Sequence, residues 1–317
     1  MILPENIFFR QKEEDMISRK ILMIGNSFSI SAGDSLANLI ASSGNGIKLA
    51  SAYIGGCPLQ KHWAFMIQAD TDKEFRPYRY DIWSNANGEV FRNTIAGNST
   101  VNQMLKDDLY DVVTIQQASP LSWRKESYEP YAKALVDRIK ECQPQAEIMV
   151  QQTWSYCAQD PRLQKGSSFS WGIDQDEMYA RLDEAYRILA DTCNCRRIPT
   201  GRAVQFTRER SSKKYEVISP EAFESCIYPD LPPRAGDVVG SIFWNKDRAT
   251  GEMKIGRDDI HLNNRGRYLQ GCVFAGAIYG LDPRTLTWTP DDIGKSDAAF
   301  LRECAYEALK AENLPGF

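Results

Sequence analysis

Residues Ile21-Leu22-Met23-Ile24-Gly25-Asn26-Ser27-Phe28-Ser29 decide the fold of this chain. The four apolar residues at their start indicate a short, fully buried strand of a parallel sheet. The strand ends at a glycine, and an amphipathic helix is predicted over residues 31–43. In open α/β sheets, ligands bind beyond the carboxyl ends of the strands. Ser27 is therefore predicted to present its hydroxyl group at a binding edge of the sheet, beside the amides of a helix N-terminus.

Apolar strand patterns alternate with amphipathic helices along most of the chain. This alternation predicts a doubly wound parallel sheet with right-handed crossovers. Two β-hairpins are also predicted, one around Ser84–Gly88 and one around Asn245–Gly251, because short strand patterns flank turn-forming residues there. The further predicted strands cover residues 47–53, 111–115, 147–152 and 196–199, and the further helices cover residues 128–142, 174–192 and 263–279.

A second informative stretch, Asp258-Asp259-Ile260-His261, contains one of only two histidines in the chain. A serine hydroxyl is a weak nucleophile until an imidazole takes its proton, and the imidazole needs an acid to fix its tautomer. Ser27 and the late Asp-x-x-His together supply these three groups. One turn of loop or helix would direct Asp258 and His261 to the same point, with Asp259 as the rival acid. The two aspartates also suit a cap for the helix that follows.

These residues resemble the sequence blocks of the SGNH (GDSL-type) hydrolases, a family of serine esterases. The first block is usually Gly-Asp-Ser and reads Gly25-Asn26-Ser27 here, which keeps the serine, and Asp258-x-x-His261 matches the late block. The resemblance spans roughly residues 19–282. It implies a flavodoxin-like, three-layer α/β/α fold with β-hairpin insertions. It also implies that Ser27 is the nucleophile, His261 the base and Asp258 the orienting acid.

The oxyanion hole that the resemblance implies departs from the family pattern in this chain. The implied donors are the amide of Ser27, the amide of Gly55 or Gly56 after the second strand, and an asparagine side chain after the third. The third block normally reads Gly-x-Asn, whereas this chain has Gln116-Gln117-Ala118-Ser119. A glutamine amide donates the same hydrogen bond, so one of the two glutamines is the predicted substitute. The alternative is that both glutamines satisfy neighbouring backbone groups.

Two further residues are candidate substrate contacts. His62 follows the glycine turn at the carboxyl end of the second strand, although a lone loop histidine is more often structural or exposed at the surface. Trp154 lies at the carboxyl end of the fourth predicted strand. Exposed aromatic faces suit sugar rings, and a buried anchor is the commoner role of tryptophan.

The composition argues against several classes of function. A net charge of −4 without a basic run gives no electrostatic footprint for nucleic acid, and no apolar stretch is long enough to span a membrane. The eight cysteines are scattered, so no metal site is predicted from them, and the esterase chemistry that the resemblance implies requires neither a metal nor an organic cofactor. Residues 1–18 form a charged N-terminal extension without an apolar signal core, which predicts a cytoplasmic location.

One hydrolase-type domain is predicted over residues 19–282, with insertions at about residues 64–98 and 204–257. Within the second insertion, residues 207–240 are rich in charge and proline and are expected to form a long loop. Three roles remain open for that loop: a lid over the site, a dimer contact, or a connection without a function of its own. Residues 283–317 are predicted to be a C-terminal helical tail.

Three functions remain open from the sequence. The preferred one is a serine esterase that hydrolyses a small acyl ester, foremost an acetyl ester of a carbohydrate, and this substrate class rests on the resemblance alone. The second is a flavodoxin-like module whose loop at residues 25–29 binds phosphate or flavin, which leaves Asp258 and His261 without a purpose. The third is a degenerate hydrolase that binds glycans without turnover. The sequence does not determine the oligomeric state.

Overall fold

The computed structural model describes residues 16–232 and 236–317, so residues 1–15 of the predicted N-terminal extension lie outside the described residues. The strands are β1 (Ser18–Gly25), β2 (Gly46–Tyr53), β3 (Arg79–Ala86), β4 (Glu89–Thr94), β5 (Val112–Ile115), β6 (Glu147–Gln151), β7 (Arg196–Ile198), β8 (Val239–Lys246) and β9 (Met253–Leu262). The helices are α1 (Ser27–Ile30), α2 (Gly33–Ser42), α3 (Leu59–Thr71), α4 (Val101–Asp107), α5 (Tyr131–Cys142), α6 (Gln175–Cys193), α7 (Thr200–Arg210), α8 (Pro220–Glu224), α9 (Asn264–Tyr279) and α10 (Lys295–Ala311).

In the described chain, the central sheet has seven strands in the order β4-β3-β2-β1-β5-β6-β7. Five of them, β2, β1, β5, β6 and β7, are parallel. Numbered by their order in the chain, these five run 2-1-3-4-5, which is the flavodoxin-like order. Helices α2, α7, α9 and α10 contact one another, and α3 to α6 form a second contacting group. The predicted α/β/α fold is therefore confirmed.

The switch point of this sheet lies between β1 and β5, where the chain changes from building one side of the sheet to building the other. Ligands in flavodoxin-like folds bind at this point, outside the carboxyl ends of the strands. Residues 21–24 of β1 are at most 1% exposed, because strands pair with β1 on both sides and helices cover both faces. The buried carboxyl end of β1 thus opens directly into the crevice.

Of residues 64–98, predicted as an insertion outside the core layers, residues 64–71 belong to α3 and residues 79–94 extend the central sheet. β3 pairs antiparallel with β2, and β4 pairs with β3. The hairpin turn lies at Asn87-Gly88, where both residues have positive φ angles (53° and 81°), as hairpin turns of this kind require. The hairpin was thus predicted correctly, but its position at the edge of the central sheet was not. The residue pattern of a hairpin does not indicate which sheet edge it pairs with.

The second insertion also contains more regular structure than predicted. α7 ends at Arg210, and α8 follows at residues 220–224. Ala203 and Val204 of α7 are fully buried, and α7 packs against α9 and α10. Residues 233–235 lie outside the described residues. The role of the segment as a lid or a dimer contact stays a prediction.

β8 and β9 form a separate two-stranded antiparallel sheet. Asp258 and His261 both belong to β9, and not to a loop or a helical turn as expected. β9 leads directly into α9, whose N-cap is Asn263: its side chain accepts a hydrogen bond from the amide of Gly266. Asn263, and not the aspartate pair, therefore caps this helix. Within the described ranges, no helix is both long and apolar enough to cross a bilayer.

The docking of α7 on the sheet depends on Gly201, because a Cβ atom there would lie 2.0 Å from the carbonyl oxygen of Thr153. We expect Gly201→Ala to lower the free energy of unfolding by about 2 kcal/mol, since backbone must move to admit the methyl group. The matched control is Gly294→Ala, whose added methyl group meets nothing within 4 Å and whose effect should stay below about 1 kcal/mol. Chemical denaturation measures both, and equal effects would contradict the prediction.

Candidate active site

Ser27 is the first residue of α1 and lies directly beyond the end of β1. The residue before it, Asn26, is 1% exposed. The side-chain oxygen of Asn26 accepts a hydrogen bond from the amide of Phe28 (3.0 Å), and its Nδ2 donates to the carbonyl oxygen of Cys57 (3.2 Å). One side chain thus caps α1 and ties the serine turn to the glycine turn that follows β2. An aspartate carboxylate would supply the first bond but lacks the N–H group for the second.

A continuous hydrogen-bond chain links Ser27 to the late motif. His261 Nε2 lies 2.8 Å from Ser27 Oγ, and His261 Nδ1 lies 2.7 Å from Asp258 Oδ2. With the proton on Nδ1, the imidazole donates to the carboxylate and its Nε2 accepts from the serine hydroxyl. The structure therefore brings together the three residues that the sequence analysis grouped, in an arrangement suited to proton transfer from serine.

A distortion of β9 lets Asp258 and His261 point to the same place. The pairing of β8 with β9 shifts register between Val239 and Ser241, as at a β-bulge. Asp258 Oδ1 then accepts from the amides of Ile260 and His261, both at 2.9 Å. Residues three apart on a regular strand would face opposite sides of the sheet, so the irregularity is what makes the pair possible.

Asp259, the rival acid, does not contact the histidine. Its carboxylate forms an ion pair with Arg257, with 2.6 Å between Arg257 Nε and Asp259 Oδ2. Its carbonyl oxygen accepts from the amide of Cys157 at 2.8 Å. Asp259 therefore holds β9 in place while its neighbour Asp258 faces the imidazole.

Hydrogen bonds set the ionisation of Asp258. Partial burial by itself would raise the pKa of its carboxyl group. The bonds from the His261 ring and from the amides of His261 and Ile260 outweigh burial and hold this pKa well below its usual range. Asp258 is therefore an anion at neutral pH and stabilises the tautomer of His261 that leaves Nε2 free to accept a proton.

Trp154 is buried beneath the site and does not face its pockets. It is 0% exposed, its ring stacks on Phe28 with centroids 4.1 Å apart, and its Nε1 donates to the carbonyl oxygen of Ile260 at 2.9 Å. The expected substrate contact is thus wrong for this structure. Trp154 instead joins α1 to β9, the two elements that carry Ser27 and His261.

The other candidate contact, His62, lies within α3 and not in a loop, and it is fully buried. Its Nδ1 lies 2.9 Å from the hydroxyl group of Tyr78. Burial lowers the pKa of His62 to about 3, so the ring is neutral at physiological pH. It has no access to a substrate here, because α3 packs its face that carries His62 into the core.

The two glutamines after β5 do not line the site either, and the alternative given above describes them better. The side-chain oxygen of Gln117 accepts from the amides of Leu59 (3.1 Å) and Ala118 (2.8 Å), and its Nε2 donates to the carbonyl oxygen of Ser127 (2.9 Å). Gln116 Nε2 donates to the carbonyl oxygen of Gln117 (3.2 Å). Both side chains are fully buried, and their amides are used to hold loops together.

Two pockets meet at the Ser27–His261 pair. The first, which we call the glycine-side pocket, has a volume of about 430 Å³ and is lined by both residues together with Gly55, Gly56 and Ser119. The second, which we call the arginine pocket, has a volume of about 450 Å³. Besides Ser27 and His261, its charged and aromatic lining residues are Asp34, Arg79, Arg92, Arg267, Trp288 and Asp292. A larger cavity of about 980 Å³, beside Arg210 and Lys295, touches neither Ser27 nor His261.

Sequence reasoning missed several residues of the glycine-side pocket, among them Ser119, Tyr156 and Arg162. Ser119 Oγ accepts from the hydroxyl group of Tyr156 at 2.8 Å, and burial raises the pKa of Tyr156 to about 12, so this tyrosine keeps its proton. The Arg162 guanidinium lies over the Tyr156 ring at 4.5 Å and is paired with the buried Asp160 at 2.6 Å. Ser119 stands in the stretch that the sequence analysis compared with the third block of the SGNH hydrolases, but no local pattern marks the other two.

Comparison with known proteins gives a family and distant structural similarities. The model of the DUF4886 family, described as a domain of unknown function, matches residues 20–217. The chain is similar to the crystal structure of a DUF4886 family protein from Bacteroides uniformis ATCC 8492, with a TM-score of 0.68, 24% identity and coverage of 95% of this chain and 98% of that chain. No curated protein matches the chain.

Two more solved structures have lower TM-scores. A protein from Slackia heliotrinireducens, provisionally named an SGNH hydrolase, has a TM-score of 0.46 and 17% identity, covering 81% of this chain and 97% of that chain. A member of the lipolytic G-D-S-L family from Veillonella parvula DSM 2008 has a TM-score of 0.40 and 11% identity, covering 83% of this chain and 99% of that chain. At these identities the likeness concerns the fold alone.

The low pKa of Asp258 predicts how the site contributes to stability in acid. An unfolded carboxyl group titrates near pH 4, above the folded-state pKa, so the ionised group stabilises the fold above about pH 4 and this contribution is lost as the pH falls. We expect the difference in unfolding free energy between wild type and Asp258→Asn to have its full value above about pH 5 and to shrink as the pH falls below about 4. Urea denaturation across this range measures it. A constant difference down to about pH 3 would contradict it.

Proposed function

The chain belongs to the DUF4886 family, and we propose that it is a serine esterase that removes a small acyl group, foremost acetyl, from a carbohydrate ester. The observation that carries the proposal is the hydrogen-bond chain from Asp258 through His261 to Ser27, with distances of 2.7 and 2.8 Å. Its position at the switch point of a flavodoxin-like sheet supports the same conclusion. The acetyl group and the carbohydrate rest on the resemblance to SGNH hydrolases.

In the acylation step, His261 Nε2 takes the proton of the Ser27 hydroxyl while Oγ attacks the ester carbonyl carbon. Asp258 stabilises the imidazolium that forms and keeps Nδ1 protonated. The tetrahedral intermediate then collapses, its bond to the alcohol oxygen breaks, and His261 returns the proton to that oxygen. The products of this half-reaction are the free alcohol and an acyl-Ser27 ester.

In the deacylation step, water replaces the alcohol. His261 Nε2 takes a proton from the water as its oxygen attacks the acyl carbon, and a second tetrahedral intermediate forms. Its collapse breaks the bond to Ser27 Oγ, which regains the proton from His261, and the carboxylic acid leaves. Serine, histidine and aspartate are then back in their starting states, and no metal or organic cofactor takes part in either step.

The charge of both intermediates falls on the former carbonyl oxygen, which needs donors fixed in advance. We assign the amide of Ser27 and the amide of Gly55 or Gly56 to this task. For the third donor we assign the hydroxyl group of Ser119, which lines the same pocket. Because Tyr156 donates to Ser119 Oγ (2.8 Å), the serine hydroxyl is available to direct its own proton towards the pocket.

The catalytic assignment is tested by hydrolysis of p-nitrophenyl acetate, butyrate and octanoate. We expect preference for acetate, and a loss of kcat on the order of 10⁴-fold or more in Ser27→Ala and in His261→Ala. Asp258→Asn should lower kcat by about 10³- to 10⁴-fold, because the imidazole loses the group that fixes its tautomer. The matched control, Asp259→Asn, should change kcat by less than about tenfold, since the carboxylate pairs with Arg257.

Activity that survives in Ser27→Ala would disprove the proposed nucleophile. Equal losses in the two aspartate variants would disprove the choice of orienting acid. A folded wild-type protein that hydrolyses none of the three esters would favour a binding role without turnover, and flavin absorbance of the purified protein would favour the flavodoxin-like alternative.

The third oxyanion donor is tested separately. We expect Ser119→Ala to lower kcat for p-nitrophenyl acetate by about 10²- to 10³-fold with a smaller change in KM, because this donor acts on charge that develops in the transition state. Tyr156→Phe should cause a smaller loss in kcat, since the serine hydroxyl remains but is less well oriented. Unchanged kcat in Ser119→Ala would show that the intermediate is stabilised without it.

A further inference from the structure

The arginine pocket has chemistry unlike that of the glycine-side pocket, although both include Ser27 and His261. We propose that the arginine pocket binds the alcohol half of the ester, and that this alcohol is a neutral saccharide. The inference rests on the serine esterase function proposed above. It adds a location for the sugar, the residues that hold it, and its charge.

The geometry of the tetrahedral intermediate assigns one pocket to each half of the ester. Its central carbon carries Ser27 Oγ, the oxyanion, the acyl group and the alcohol oxygen. Glycine amides and Ser119 lie in the glycine-side pocket, so the oxyanion faces that side and the acyl group lies beside it. The alcohol oxygen must face His261, from which it takes a proton. The space that remains next to both Ser27 and His261 is the arginine pocket.

The lining of the arginine pocket suits a ligand with many hydroxyl groups. Arg267 and Asn264 reach it from α9, Asp34 from α2 and Arg92 from β4. Carboxylates accept hydrogen bonds and guanidinium groups donate them, and a saccharide hydroxyl does both at once. Pockets that combine a few convergent polar groups in this way fix the orientation of a ligand.

Trp288 adds an aromatic face to this polar lining. It is partly exposed, and its backbone carbonyl oxygen accepts a hydrogen bond from the hydroxyl group of Tyr268 at 3.1 Å. The Tyr268 ring lies beside it, with centroids 6.1 Å apart. An aromatic ring held in this way offers an apolar contact for the C–H groups of a sugar ring without a large entropy cost.

The charges around the pocket cancel, which favours a neutral ligand. Arg79 Nε pairs with the buried Asp81 at 2.7 Å, and Arg92 lies between Asp81 (3.5 Å) and Asp34 (3.6 Å). The two remaining charged lining residues, Arg267 and Asp292, carry opposite charges, so the formal charges of the lining and of Asp81 sum to zero. An anionic alcohol would therefore gain little net attraction over a neutral one.

Arg267 is the residue most available to the ligand. Its side chain is exposed at the pocket, and within the described part of the chain no acceptor contacts its guanidinium group. By contrast, Arg79 and Arg92 are held by their carboxylate partners and by the rings of Tyr53 (4.3 Å) and Trp83 (4.6 Å). Arg267 thus has all five N–H groups free for a substrate.

The test compares two acetyl esters that share the acyl group and differ in the alcohol. Acetylated xylo-oligosaccharide supplies a neutral sugar, and p-nitrophenyl acetate supplies none. We expect the ratio of kcat/KM for the first ester to that for the second to fall about tenfold or more in Arg267→Gln, the loss of a charged hydrogen-bond donor. Trp288→Ala should lower the ratio in the same direction. The matched control, Arg187→Gln on α6, lies outside both pockets and should leave the ratio unchanged.

Binding without turnover separates this inference from the proposed function. In Ser27→Ala, calorimetry should show deacetylated xylo-oligosaccharide binding about tenfold or more weaker when Arg267→Gln is added. That result would support the pocket even if wild type hydrolysed no ester, in which case the esterase function alone would fail. The inference is overturned if Arg267→Gln changes neither the ratio nor the binding. It is also overturned if an acetylated uronic-acid oligosaccharide is preferred about tenfold over the neutral one.

Discussion

The hydrogen bond from Trp154 Nε1 to the carbonyl oxygen of Ile260, 2.9 Å long, joins the two parts of this molecule on which its site depends. Ser27 is fixed by the central sheet, whereas His261 stands on a hairpin that forms a separate sheet. A catalytic pair needs its members placed to within a fraction of an ångström, which a hairpin does not achieve unless it is anchored. Because Trp154 also stacks on Phe28, one side chain contacts both α1 and β9.

Asn26, which stands where SGNH hydrolases usually have aspartate, has a structural role in this protein. Asn26 accepts one hydrogen bond and donates another, to Cys57, and so couples the serine turn to the glycine turn. Both turns are where oxyanion donors are proposed, so their separation matters for the chemistry. Where SGNH hydrolases have a third-block asparagine, the glutamines of this chain hold neighbouring loops, and Ser119 lies in the pocket.

In the proposed chemistry, the two pockets hold different parts of the substrate: one faces the oxyanion and the other faces the alcohol. The glycine-side pocket offers donors for a developing negative charge, and the arginine pocket offers charges of both signs and an aromatic ring. Neighbouring charges of opposite sign that sum to zero add little net field, so recognition there depends on hydrogen-bond geometry. Recognition of the alcohol is in this way separated from stabilisation of the transition state, and the two can be altered independently by mutation.

The sequence by itself determined the alternation that builds the parallel sheet and the grouping of Ser27, Asp258 and His261, because burial patterns and a rare histidine are local signals. Their catalytic roles stay predictions. Only the tertiary structure decided that residues 79–94 join the central sheet, that the Gln116 and Gln117 side chains donate to backbone carbonyl groups, and that Arg267 lines a pocket together with Ser27. These facts depend on which groups meet across long separations in the chain, and no local pattern of residue types carries that information.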